Sequence, residues 1–158
     1  MFENFRKFLP KVSEDSEHPI HFEHYDYRLA AVALLVHTAT IDGNMSDLKR
    51  DQLHAVVKRQ FGLDNATTDE LLAEGTQAER EAVDLYHFTS VIMRSVNEEG
   101  RLRIVEMMWE LVFADGQASE VEDNVVWRAA DLLGISSRDR IELKHRVAGR
   151  QPASASGE

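Results

Sequence analysis

The chain has no cysteine, so disulfide frameworks, thiol catalysis and cysteine-bound zinc or iron–sulfur sites are excluded at once. Long apolar runs are also missing. The longest, Leu29 to Val36, is too short to span a bilayer. The opening residues, Met-Phe-Glu-Asn-Phe-Arg-Lys-Phe-Leu-Pro, lack the apolar core of a secretory signal, and a cytoplasmic location is expected. Bases are scarce, with 18 against 28 acids and a net charge of -10. That balance disfavours nucleic acid as a partner and favours cations or basic surfaces. Gly-x-Ser-x-Gly elbows, phosphate-binding glycine loops and His-Glu-x-x-His helices do not occur, so hydrolase chemistry is not expected.

What remains is an ordinary globular composition: 158 residues, 43% hydrophobic and 29% charged. A chain of this length forms one domain that buries about 70% of its unfolded surface. From Asp26 onward the apolar spacing is helical and no period-2 strand stands out. The spacing predicts an all-α, single-domain bundle with helices at 26–41, 47–61, 67–74, 79–96, 99–114, 120–133 and 137–148. Three apolar stripes face a core: Leu53, Val56, Val57 and Phe61; Leu85, Phe88, Ile92 and Val96; and Val121, Val125, Ala129 and Leu132. The first and fifth helices are apolar over most of their circumference and should run through the middle. The organisation expected is an amphipathic segment and polar linker at 1–25, a helical domain at 26–148 and a disordered Ser/Ala/Gly-rich tail at 149–158.

An internal repeat is the most informative feature. Aligning Asp42 with Asp115 places Gly43 on Gly116, Ser46 on Ser119 and Asp47 on Glu120. Each copy reads as an apolar helix, an Asp-Gly turn, a Ser and an amphipathic helix that closes on Phe-Gly-Leu or Leu-Gly-Ile. The pattern predicts a duplicated helix-turn-helix unit. Gly43 and Gly116 fit a left-handed helix end, and Ser46 and Ser119 fit N-caps. Ser119 with Glu122 forms a capping-box signature, whereas the first copy has Lys49 in place of the acid.

The turns also carry a candidate metal site. Asp42 and Asp115 fall at helix C-termini, where the macrodipole disfavours a carboxylate by roughly 0.3–1 kcal/mol and carbonyl oxygens are unpaired. Carboxylates beside free carbonyls suit a hard divalent cation such as calcium, magnesium or manganese. His37 and Glu110 occupy aligned positions five residues before those acids. The second copy is the more acidic, with eight acids against two bases from 98 to 123. The candidate ligands are therefore Asp115, Glu122, Glu110, Asp42 and His37. The same turns can equally be scaffolding, since Asp stabilises turns through its own backbone. The spacing is not that of an EF-hand.

The stretches LLVHTATIDGNMSD, DLYHFTSVIMRSVNEEGRLRIVEMMWELVFADGQASEVEDNVVWRAADLLGIS and RDRIELKHRV resemble the TerB-like family, which is named for a tellurite-resistance protein and includes a region of a membrane-bound DnaJ-type co-chaperone. The resemblance covers about residues 26 to 147. It implies about seven helices, a cytoplasmic and often membrane-proximal role in stress from tellurite and other chemical insults, a proposed acidic divalent-metal site, and no enzymatic activity. The family's acid-glycine motif falls on Asp115-Gly116 and Asp42-Gly43, and its following acid falls on Glu122. The first copy departs at Lys49. The co-chaperone's His-Pro-Asp signature is absent.

Other clusters are weaker. His18, His21 and His24 lie in the polar linker beside Pro19. Acid-x-x-His pairs at Asp51–His54, Asp84–His87 and Glu142–His145 do not make the glutamate set of a di-iron bundle. Phe2, Phe5 and Leu9 share one face with Arg6, Lys7 and Lys11 nearby, and could make weak peripheral membrane contact or pack onto the domain. Trp109 and Trp127 are expected in the core or lining a groove. The expected function is a non-enzymatic, divalent-cation-binding stress-response module. The alternative is a metal-free acidic interaction scaffold near the membrane, associated with chaperones, whose protein partners the sequence does not name.

Overall fold

A computed structural model of the chain describes residues 26–43 and 45–150. The expectations for Phe2, Phe5, Leu9, His18, His21 and His24, and for the tail from Gln151, lie outside the described residues. Among the described residues seven α-helices follow one another: α1 (Tyr27–Thr40), α2 (Asp47–Phe61), α3 (Asn65–Glu81), α4 (Tyr86–Ser95), α5 (Glu98–Val112), α6 (Glu120–Leu132) and α7 (Ser137–Arg150), with a 3₁₀ turn at Phe113–Asp115. No strand occurs among the described residues.

Helix α1 is the axis of the bundle, and α2 to α6 all pack against it. It can be enclosed because its sequence offers apolar side chains on every face, and Leu29 through Val36 are all buried. Burying a Leu or Val side chain contributes about 1.5–3 kcal/mol, so this one helix anchors much of the core. Asp26 caps it, accepting from the Arg28 amide at 2.8 Å and from the guanidinium at 2.6 Å. The second central helix, α5, buries Ile104, Val105, Met107, Met108, Trp109, Leu111 and Val112. Trp109 donates its indole N–H to the Arg140 carbonyl at 3.2 Å and so ties α5 to α7.

Four expectations change. The third helix runs through Glu81, past Gly75, and the break falls at 82–85 instead of between 74 and 79. Gly75 does not stop the helix: it lets α3 approach α1, since a Cβ there would lie 2.4 Å from a Val32 methyl. Of the stripe expected on the sixth helix only Ala129 is fully buried. Val126, Ala129 and Ala130 are buried along with Glu122, while Val121 is 49% exposed and Val125 and Leu132 are half-buried. Trp127 is also 49% exposed, unlike Trp109. In addition, α7 reaches Arg150, two residues into the segment assigned to the tail. Among the described residues no helix is long and apolar enough to cross a membrane.

Candidate functional site

The two acid-glycine turns share a local geometry. Gly43 (φ +92°) and Gly116 (φ +107°) take the left-handed conformation that L side chains adopt only with strain. Their amides donate to carbonyls three residues back, Thr40 at 2.9 Å and Phe113 at 3.0 Å. In each copy a serine then caps the next helix: Ser46 Oγ accepts from the Lys49 amide and Ser119 Oγ from the Glu122 amide, both at 3.1 Å.

Beyond that shared frame the two turns differ at the residue three past the serine. Glu122 closes its capping box by accepting from the Ser119 amide through Oε1 at 3.0 Å. A lysine cannot accept such a bond, and Lys49 instead turns inward. Its ammonium donates to Glu122 Oε2 at 2.5 Å and to Asp42 Oδ2 at 3.2 Å. The Lys49 and Glu122 side chains are each only 3% exposed, whereas Asp42 is 38% exposed. Burial alone would pull the Lys49 ammonium down. Its hydrogen bond to and charge contact with Glu122, followed by those with Asp42, outweigh burial and hold it above the ordinary lysine value. One lysine thus links the turn of the first copy to the capping glutamate of the second.

The other candidate ligands lie elsewhere. Glu110 is buried on α5 and accepts from Arg59 at 2.8 Å and from Arg150 at 3.2 Å. Burial pushes its carboxyl above the usual range, and the two guanidinium groups offset this only in part. His37 Nδ1 lies 3.1 Å from Glu79 Oε2. Asp115 is exposed at the end of the 3₁₀ turn. Of the five, only Asp42 and Glu122 are brought together, and the Lys49 ammonium already sits between them. Among the described residues no group of three or more His, Cys, Asp or Glu side chains is placed to hold a metal ion. A divalent cation between Asp42 and Glu122 would have to displace a buried ammonium and leave it unpaired. The residues present do not fit one. Of the histidines in the acid-x-x-His pairs, His54 meets Asp69 across α2 and α3 at 3.1 Å.

Residue reading missed the basic side chains that occupy these acids: Lys49, Arg59 and Arg150. For Lys49 the signal was present, because its position aligns with Glu122 and its charge is opposite. For the two arginines no local pattern pointed to Glu110.

A groove of about 570 Å³ opens beside this site, lined by Val83, Leu85, Tyr86, Val121, Val125 and Leu132, with His37, Glu79, Asp84 and Arg128 also along it. The displaced stripe of α6 forms one of its walls.

Comparison with curated proteins and with solved structures returns no match. The family model described as tellurite resistance protein TerB, by contrast, matches residues 28–145, from the start of α1 to the last helix and through both acid-glycine turns. With an all-helical bundle over that same span, the chain belongs to the TerB family.

Proposed function

We infer that this TerB-family chain is a non-catalytic interaction module whose two acidic turns are held together by Lys49 in place of a divalent cation. One observation carries the reading: a buried ammonium within hydrogen-bonding distance of Asp42 and Glu122, the two acids that a shared ion would bridge. A lysine there is a point charge of fixed position with three donors. It supplies the cation without any dependence on ion supply, so the role of the domain is constitutive recognition and not ion sensing. With a net charge of -10, the outer surface is suited to basic protein partners.

The test is a thermal unfolding series on chelator-treated protein titrated with calcium, magnesium, manganese and zinc. An ion that binds only the folded state adds about 2.7 kcal/mol of stability at a hundredfold excess over its dissociation constant. The expected result is no saturable rise in midpoint with any of the four. A saturable rise with one ion, abolished in Asp115→Asn, would overturn this reading and restore a metal-dependent module centred on the second turn.

A further inference from the structure

The groove beside α6 is an apolar feature without an assigned role. It lies between the C-terminal end of α1, the 82–85 break, the start of α4 and the outer face of α6. Its apolar lining is conspicuous: Val83 is 99% exposed, Tyr86 65% and Val121 49%. The volume of about 570 Å³ lies within the ~300–1,000 Å³ range of sites that enclose a ligand.

The chain itself carries a segment of matching chemistry. Phe2, Phe5 and Leu9 recur at the i, i+3, i+7 spacing by which an amphipathic helix anchors in a groove. Arg6, Lys7 and Lys11 accompany them against a single acid, Glu3, in a chain that is otherwise strongly acidic. The groove offers such bases the carboxylate of Asp84 and that of Glu79 beside His37, with Arg128 also along its lining. Reach is sufficient. Residues 10–25 can span up to ~50 Å at ~3.3 Å per residue. Helix α1 advances only ~1.5 Å per residue, so His37 and Ile41 lie within ~25 Å of the start of the helix. A tether of that length presents the segment to its own domain at millimolar effective concentration.

We propose that residues 2–9 of this chain dock into the groove between α1, α4 and α6, with Phe2, Phe5 and Leu9 against its apolar wall. The groove is then filled in cis, and a partner that uses it must displace the segment. This does not rest on the reading of Lys49, which does not line the groove.

The absence of cysteine makes a direct test possible in the full chain. Phe5→Cys is combined with Val121→Cys in the groove or, as a control, with Glu142→Cys on α7. Each pair is exposed to oxidised glutathione at low protein concentration. Intact mass and non-reducing electrophoresis should show an intramolecular disulfide in most of the Val121 pair and little in the control. Equal closure of both pairs, or of neither, would overturn the proposal. Disulfide-linked dimers would assign the groove to the segment of a second copy instead. A second measurement does not depend on disulfide chemistry. In Phe5→Asp, amide signals of Val83, Val121 and Val125 should shift while that of core Val56 stays in place. Unchanged groove signals, with binding to anionic vesicles lost in the same variant, would assign the segment to a membrane surface and sink the cis docking.

Discussion

The two acid-glycine turns share a left-handed glycine and a serine cap, and carry opposite charges three residues beyond that serine. After the second turn, Glu122 serves its own helix by closing a capping box. After the first, Lys49 gives up that local role and reaches across to the second copy. A local cap has been exchanged for a long-range ion pair between residues 73 apart in sequence. The comparison teaches that the side chain at which two similar turns differ can be the contact that joins them. Asp42, Glu122 and Glu110 each have a basic partner where a shared ion would need them vacant, and Asp115 stays exposed.

The sharpest way to break this asymmetry is to remove the lysine. In Lys49→Met the buried Glu122 carboxylate loses its closest cation, and breaking such a pair from one side costs about 3–5 kcal/mol. Chemical denaturation should register that loss. Adding Glu122→Gln should restore most of it, because glutamine can still accept in the capping box and no buried charge is left alone. Failure of the second substitution to rescue would mean that Lys49 matters for its packing and not for its charge. The pH dependence gives an independent reading. A lysine whose folded value is raised stabilises the fold below its ordinary value of 10.5, and that contribution fades as pH rises through the higher folded value. The parent should therefore show a loss of stability above that range that Lys49→Met lacks.

Much of the fold was legible because helical periodicity and caps are local signals. Each helix among the described residues has its counterpart in the spacing, and α2 is placed to the residue. The misplaced break between α3 and α4 has a non-local side to it, since the glycine just past the expected end at 74 is the point where α3 lies close against Val32. The misassigned face of α6 has another. Its apolar stripe is real but borders a groove, and periodicity cannot distinguish a buried apolar face from a half-covered one. At the candidate site, the turn residues were legible from the repeat, while the arginines that pair with Glu110 come from α2 and α7. Those partners lie 51 and 40 residues away, beyond the reach of any spacing rule.

Gly75 sharpens the comparison on the side of the first copy, where α3 lies close against α1. Alanine is the better helix former by about 1 kcal/mol, so on an open helix Gly75→Ala would stabilise. Here the added Cβ would meet the Val32 methyl at 2.4 Å and the Val32 Cβ at 3.0 Å. Overpacking of this kind costs about 1–3 kcal/mol, and a net destabilisation is expected in thermal or denaturant unfolding. The cost should shrink when Val32→Ala is already present, a coupling that a double-mutant cycle reads directly. An increase in stability from Gly75→Ala alone would show that α3 can move away from α1 without loss.

The smallest effect is expected at Glu110, which aligns with His37 and, like it, has been absorbed into pairing within the domain. Its carboxyl stands above the ordinary range because burial disfavours the charged form by more than Arg59 and Arg150 restore. The folded state therefore holds the proton more tightly than the unfolded chain does. Stability from this group is greatest at low pH and falls as pH rises through the raised value. Glu110→Gln removes the charge and keeps the shape, so at neutral pH the variant should match or slightly exceed the parent, within about 1 kcal/mol, because both arginine partners are roughly half-exposed and screened by solvent. The difference should close as the parent is titrated down through the carboxylate range. A variant clearly less stable than the parent at neutral pH would mean that the guanidinium pairs outweigh burial. Glu110 would then be a second charged joint of the bundle, fastening α5 to α2 and α7 as Lys49 fastens the two turns.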